Sequence, residues 1–350
     1  MLSSHAKQLI LGAAAAAVFM VSSLAADAGN SSSSLRPKTA NINLAVASNF
    51  YGDPTSNPPN SAITDIITAF QKANPNWTVT VTANGATATL AANIINGNKA
   101  NVDLFLAADT ETPLSLYLNN FRLVSPYNSP GFSFNSPSFG SPNNSLFSFT
   151  PPLYLFNYAT GVLAFLSNKL DVSCDAQGSC GYDPSDPRQN PVGIADPSLA
   201  PYGVAAQTVL TGPAYDLASP LCTSTTNGPG NSLVKQPCYP NITAALNAVL
   251  SNDVPVGFVA MSAICSNGTY PTQGKSALAY FSIEGGTKPG TIVNNYNPLT
   301  QGGVAINKRR TSAQDTELEA FVAFMTDFTT SPSPDSPMMA TLKKYCYNAP

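Results

Sequence analysis

NLAVASNF, residues 43–50, is an alternating apolar run that stops on two small polar residues, Ser48 and Asn49. Alternation of this length predicts a β-strand. Open α/β sheets hold their ligands just beyond the carboxyl ends of strands. Ser and Asn are also ordinary turn residues, so the stretch gains meaning only from others like it further along the chain.

Two similar units follow. After a Pro-rich loop, YGDPTSNPPN at 51–60, Ser61 can cap a helix with Ile63, Ile66, Ile67 and Phe70 on one face. It stops before Pro75. Residues 77–82 alternate again as a strand, NGAT at 84–87 turns, and a helix over 88–96 closes on Gly97. Residues 102–107 form a continuous apolar strand ending at Asp109, as in a parallel sheet covered on both faces. Thr112 as cap and Pro113 at the first position open the next helix. The order β-α-β-α-β-α is that of a doubly wound half.

Residues 121–152, rich in Ser, Asn, Pro and Phe, have no helical period and read as an insertion. A strand at 158–166 (YATGVLAFL) follows, then a loop at 174–190. In GIADPSLAPYGVAA, 193–206, a short strand ends at Asp196-Pro197, and Pro201-Tyr202-Gly203 leads into a helix over 204–210. Asn241 caps a helix over 242–250, and VPVGFVAM (254–261) is a strand. A short strand at 302–306 and helices at 318–328 and 338–347 complete the chain.

Composition limits the function. The chain has 350 residues, 43% of them hydrophobic, enough for two domains with real cores. Charged residues make up only 10%, against roughly a quarter in ordinary soluble domains. A net charge of −3 without Lys/Arg clusters gives no footprint for nucleic acid or anionic lipid. The N-terminus has the form of an export signal: His5 and Lys7, an apolar stretch at 9–21 too short to span a bilayer, and Ala26-Asp27-Ala28 as a cleavage site. A cut after Ala25 would serve as well. The expected division is a signal peptide over 1–28 and a disordered Ser-rich leader over 29–40. The single histidine is His5, so the exported chain has none. That excludes Ser-His-Asp and Cys-His catalysis and any histidine metal site. No cofactor is expected, nor any later membrane insertion. All six cysteines, Cys174, Cys180, Cys222, Cys238, Cys265 and Cys346, lie in the exported part, as in a disulfide-bonded protein. They allow about 15 connectivities, of which spacing alone suggests Cys174–Cys180, Cys222–Cys238 and Cys265–Cys346.

The series NLAVASNF, NGATATLAANI, VDLFLAAD, ATGVLAFLSNK, IADPSLAPYGVAA, PNITAALNAV, VPVGFVA, GGVAIN and LKKYCY resembles the periplasmic molybdate-binding protein family, the substrate-binding components of oxyanion ABC importers. AVASNF and DPSLAPYG are its most specific pieces. The resemblance runs from about residue 41 to the end. It implies a type II periplasmic binding protein: two α/β lobes, each a mainly parallel sheet flanked by helices, with a ligand cleft between them. Lobe one would take 41–160, including the insertion, and 266–350; lobe two would take 161–265. A Cys265–Cys346 bond would then tie the second crossover to the terminal helix. By motif position, the family's anion contacts fall on Ser48, Asn49 and Thr87, and across the cleft on Tyr202 and on Asn241 or Ile242. A tyrosine that some relatives carry after the VPVGFV strand is replaced here by Ala260. The loop after Asn49 is longer than in the family, and Ala86 stands where the second turn is usually Ser-rich. The implied partners are a small oxyanion and the membrane permease of an ABC importer, with the receptor a monomer.

The residues themselves agree with this placement. Each position lies at or near a predicted helix start, where backbone N–H groups and the dipole favour an anion. No Lys or Arg lies in the stretches that carry these contact positions. An all-donor shell favours anions that carry no proton, such as molybdate, tungstate or sulfate, over hydrogen phosphate. The alternatives are a receptor for a different small ligand, an exported hydrolase using carboxylates among Asp103, Asp109, Glu111 and Asp196, and a surface adhesin, which the regular β/α order disfavours.

Overall fold

The computed structural model of the chain describes residues 40–53, 55–56, 60–118, 155–170, 172, 191–211, 222, 237–265, 267–269, 279–280, 296–330 and 334–350. The expected signal peptide, the leader up to residue 39, the insertion at 121–152 and the Cys174–Cys180 pair lie outside them. No helix among the described residues is long and apolar enough to cross a membrane.

Two mixed five-stranded sheets organise the described residues. The first runs β2 (Trp77–Gly85), β1 (Ala40–Ala47), β3 (Leu104–Leu106), β10 (Leu299–Ala305), β4 (Leu155–Gly161). Its first three strands are parallel, and β10 is antiparallel to both of its neighbours. The second runs β7 (Cys238–Tyr239), β6 (Val192–Ala195), β8 (Val256–Ala260), β5 (Leu163–Ser167), β9 (Ala279–Tyr280). It repeats the pattern, with β6, β7 and β8 parallel and β5 antiparallel to β8 and β9. The run expected as one strand over 158–166 is two strands with Val162 between them, and there the chain passes from one sheet to the other. Ala279–Tyr280, in the stretch expected to return to the first lobe, pairs with β5 of the second sheet.

Both faces of β1 are buried, and the alternation of NLAVA sorts large from small. Ile42, Leu44 and Val46 share a core with Ile63, Ile66 and Phe70 of helix α2 (Ala62–Ala73), Leu318 and Phe321 of α7 (Ser312–Met325) and Leu342 of α8 (Pro337–Lys344). The Phe70 and Phe321 rings meet edge to face at 5.0 Å. Ala45, on the opposite face, lies with Leu90 and Ile94 of α3 (Thr87–Ile95) and with Phe105. The second sheet packs Ile194, Phe258 and Phe165 against Tyr202, Ala206 and Leu210 of α5 (Pro201–Thr211) and Ile242 of α6 (Ile242–Ser251).

Several helix starts differ from expectation, α7 most of all, since it begins at Ser312 rather than at residue 318. Residues 48–51 are a helical turn of their own, α1 (Ser48–Tyr51), and the Pro-rich loop follows it. That loop folds back on itself, with Asp53 and Asn60 exchanging backbone hydrogen bonds of 2.7 and 3.0 Å. The longer loop is thus held between α1 and α2, and the turn after β1 keeps its helical form. Helix α4 (Glu111–Leu118) begins one residue before Thr112. The Asp109 carboxylate accepts the Thr112 N–H at 2.6 Å and its hydroxyl at 3.1 Å, so Asp109 is the capping residue.

Glu317 of α7 is fully buried, and no hydrogen bond of good geometry reaches either carboxylate oxygen, although the Thr78 N–H lies nearby. Burial pushes its pKa from 4.5 to about 7; the Thr78 backbone N–H opposes the shift and the Asp103 charge adds to it. The folded pKa lies above the unfolded one, so the associated stability is present below pH 4.5 and lost as pH rises through about 7. The full loss amounts to about 3 kcal/mol. Glu317→Gln should therefore unfold at a higher temperature than the parent at pH 8, with the gap closing towards pH 5. Parallel melting curves across that range would show that Glu317 does not set the dependence.

Candidate functional site

The candidate residues converge where the two sheets meet. Ser48 and Asn49 follow β1 directly, in α1, and both are buried. The Ser48 carbonyl receives the Thr243 hydroxyl of α6 at 3.4 Å. The Asn49 carbonyl receives the Tyr347 hydroxyl at 2.9 Å and the Ser262 hydroxyl at 3.4 Å, while its Nδ2 donates back to Tyr347 at 3.1 Å. Ala47, Ala108, Tyr202 and Ile242 share one buried cluster, so the strand ends of the first sheet abut the helices of the second.

Thr87 is the first residue of α3, with Ala86 in the cap position. Its Oγ1 accepts the Ala108 N–H at 3.0 Å, which leaves the hydroxyl proton available for a further acceptor. The next N–H, of Ala88, crosses to the Leu199 carbonyl at 3.1 Å. Tyr202 lies in the first turn of α5, which begins three residues earlier than the sequence suggests, and its hydroxyl accepts from Gln301 Nε2 at 3.3 Å. The Asn49 amide lies near the same hydroxyl and opposes the upward shift of its pKa.

Asn241 is the one candidate whose side chain is occupied elsewhere. Its Oδ1 caps α6 by accepting the Ala244 N–H at 2.9 Å. Ile242 is an apolar core residue, so its contribution is limited to its backbone. A contrast among helix starts points the same way. Ser61, Asn241, Thr311 and Ser336 cap α2, α6, α7 and α8 with their side chains, whereas α1 and α3 have no side-chain cap. α1 and α3 both start beside the convergence of the two sheets, and of the first-turn N–H groups of α3 that of Ala88 is already taken by the Leu199 carbonyl.

The site is neutral and rich in phenols. Burial pushes the Tyr158 and Tyr202 hydroxyls well above the usual tyrosine range, and that of Tyr347 to about 12. All three therefore stay protonated donors at physiological pH. A cavity of about 450 Å³ opens beside Thr87, between Asp109–Thr112, Pro197–Pro201 and Asn297–Thr300. Of the six candidates only Thr87 lines it, so the cavity adjoins the convergence rather than coinciding with it.

Of the four carboxylates weighed for a hydrolase, Asp109 and Glu111 border the same cavity, and Asp103 and Asp196 are engaged away from it. Asp103 is tied to Lys308 at 2.8 Å and Arg310 at 3.5 Å. Asp196 accepts the N–H and hydroxyl of Ser198 in its own turn. Asp109 caps α4, with its pKa raised by burial, and Glu111 is exposed. The sequence motifs do not single out Tyr347, Gln301, Ser262 or Tyr158. LKKYCY ends on Tyr347 and GGVAIN begins directly after Gln301, but their convergence depends on long-range packing. Tyr158 donates to the Ala107 carbonyl at 2.8 Å. Cys222–Cys238 and Cys265–Cys346 are both bonded, with Cα separations of 5.7 and 5.9 Å.

The bacterial extracellular solute-binding protein family matches residues 55–329. No curated protein sequence matches the chain. Among solved structures, a periplasmic molybdate-binding protein of Azotobacter vinelandii aligns over 88% of this chain and 99% of its own, at 20% identity and a TM-score of 0.57. A substrate binding domain described as that of a molybdenum ABC transporter, from Clostridium difficile, aligns over 89% and 99% at 15% identity and a TM-score of 0.47. A sulfate-binding protein of Mycobacterium tuberculosis H37Rv aligns over 82% and 81% at 10% identity and 0.44. The first of these likenesses shows the type II periplasmic binding protein fold. The chain belongs to the bacterial extracellular solute-binding protein family, and it is a binding protein, not an enzyme.

Proposed function

We propose that this protein is a periplasmic receptor that captures a tetrahedral oxyanion, molybdate or tungstate, and delivers it to the permease of an ABC importer. Residues 41–160 and 266–350 serve as one lobe, apart from the strand at 279–280, and 161–265 as the other. The observation that carries the reading is a buried donor set without a cation. The Thr87 hydroxyl, the Tyr202 phenol, the Asn49 amide and an uncapped helix start converge, and no Lys or Arg stands among them. An anion held this way is bound by fixed dipoles and hydrogen bonds. Ser48, Asn49, Thr87 and Tyr202 contribute side chains or backbone, and Ile242 its N–H. Asn241 supports the site as the cap of α6.

Thermal unfolding with and without molybdate, tungstate, sulfate and phosphate tests this. Ligand at about 1,000 times its Kd should stabilise the protein by roughly 4 kcal/mol, a shift of several degrees. Ser48→Ala should weaken binding by roughly 1.5–3 kcal/mol, as for a lost hydrogen bond to a charged group. A shift with molybdate and tungstate alone supports the reading, and a shift with sulfate as well removes the size selection. A second reading, a larger solute, is favoured by the cavity beside Thr87. It gains ground if no simple anion shifts the transition.

A further inference from the structure

Gly161 ends β4 at the point where the chain leaves the first sheet for the second. Its φ lies outside the left-handed region, so its backbone would accept any residue. The space around it would not. A Cβ there would overlap the Tyr202 hydroxyl and stand 2.7 Å from Gln301 Nε2. The requirement for glycine thus comes from Tyr202, a residue delivered by a helix of the other sheet.

Gln301 completes the arrangement. It lies on β10 of the first sheet, is fully buried, and donates Nε2 to the Tyr202 hydroxyl. Gln301 also approaches the Tyr347 hydroxyl, which grips Asn49. Its Oε1 is buried without a partner. A buried unpaired carbonyl is costly, and water would satisfy it if the sheets moved apart.

We propose that Gly161 and Gln301 form a seat for the Tyr202 hydroxyl that is filled only when the two halves close, and that they are positioning residues for the binding site. The proposal rests on the reading of Tyr202 as a ligand contact. Closure docks the phenol over the bare Gly161 Cα and onto Gln301 Nε2, and strands Gln301 Oε1 away from water. The seat therefore holds closure only weakly by itself, and bound ligand strengthens it. This gives the receptor a physical reason to be closed part of the time without ligand and fully closed with it. Tyr202, once seated, stands beside the Asn49 amide, so the same contact sets the spacing of two proposed ligand contacts.

Gly161→Ala fills the seat without removing any hydrogen-bonding group, and Gln301→Met removes the donor while keeping the shape. The readout is exchange of the Ala88 amide, whose hydrogen bond to the Leu199 carbonyl crosses between the halves. In the ligand-free protein, Gly161→Ala should lower protection at Ala88 at least tenfold, and Gln301→Met should lower it less. Core amides of β1 should keep their protection in both variants, which separates loss of closure from general destabilisation. With molybdate as probe, Gly161→Ala should bind at least tenfold more weakly than the parent. Unchanged Ala88 protection in both variants overturns the seat, whatever the ligand. Loss of protection at Ala88 and β1 together also overturns it, since the effect is then on the fold. A parent protein indifferent to molybdate counts against the oxyanion reading, while the exchange result still decides the seat.

Discussion

Replacing Cys265 and Cys346 with alanine should lower the stability of the oxidised protein by about 4 kcal/mol. The bond joins residues 81 apart, and the loop-closure entropy it removes from the unfolded chain rises with the logarithm of that length. The bond across Cys222–Cys238 spans only 16 residues and should be worth nearer 3 kcal/mol. The long bridge also bears on the site. Cys346 sits at φ 55°, a backbone region that non-glycine residues rarely occupy, directly before Tyr347. Tyr347 in turn makes two hydrogen bonds to Asn49. Without the bridge, the terminal turn is free to relax and the Asn49 amide loses its fixed partner. Urea unfolding of the parent, the double alanine variant and the reduced parent measures the effect. The reduced parent also loses Cys222–Cys238 and should fall below the variant by about 3 kcal/mol. A reduced protein as stable as the oxidised one would mean that packing of α8 alone holds the terminus.

How far this site could be read from sequence follows from the range of the interactions. β1, α2, α3 and α6 were legible because their signals are local: alternation in NLAVA, caps at Ser61 and Asn241, and Gly97 after α3. Ser48, Asn49, Thr87 and Tyr202 were legible as strand-to-helix junctions. The break at Val162 was not, since YATGVLAFL is uniformly strand-forming and only pairing with β10 on one side and β8 on the other divides it. Asp109 displaced Thr112 as a cap because its carboxylate takes both the N–H and the hydroxyl of Thr112, which places Thr112 inside the helix. Tyr347 lies 298 residues from Asn49, and Gln301 lies 99 from Tyr202, so no local pattern links either pair.

Asp103→Ala should cost about 3 kcal/mol of stability and leave ligand affinity unchanged. The carboxylate is fully buried, 2.8 Å from Lys308 Nζ and 3.5 Å from Arg310 Nη1, and it accepts the Asn43 N–H at 2.8 Å. Removing one partner of a buried pair leaves an uncompensated charge, typically at a cost of about 3–5 kcal/mol. The low end applies because both cations keep other acceptors: Lys308 holds the Asn101 carbonyl and side chain at 2.7 Å, and Arg310 holds Asp315 at 2.9 Å. Burial already lowers the Lys308 pKa, with Asp103 opposing that shift. Losing Asp103 lowers it further, so the variant should lose less stability at high pH, where Lys308 discharges, than at pH 6. Pairing Asp103→Ala with Lys308→Met should recover much of the loss, since a neutral buried chain replaces a stranded charge. Asp103 precedes β3, whereas Thr87 meets the chain at Ala108, beyond the other end of that strand. A stability loss with unchanged anion binding fits a cluster that braces the sheet from the end away from the ligand. A change in binding without a change in stability would instead make Asp103 part of the site.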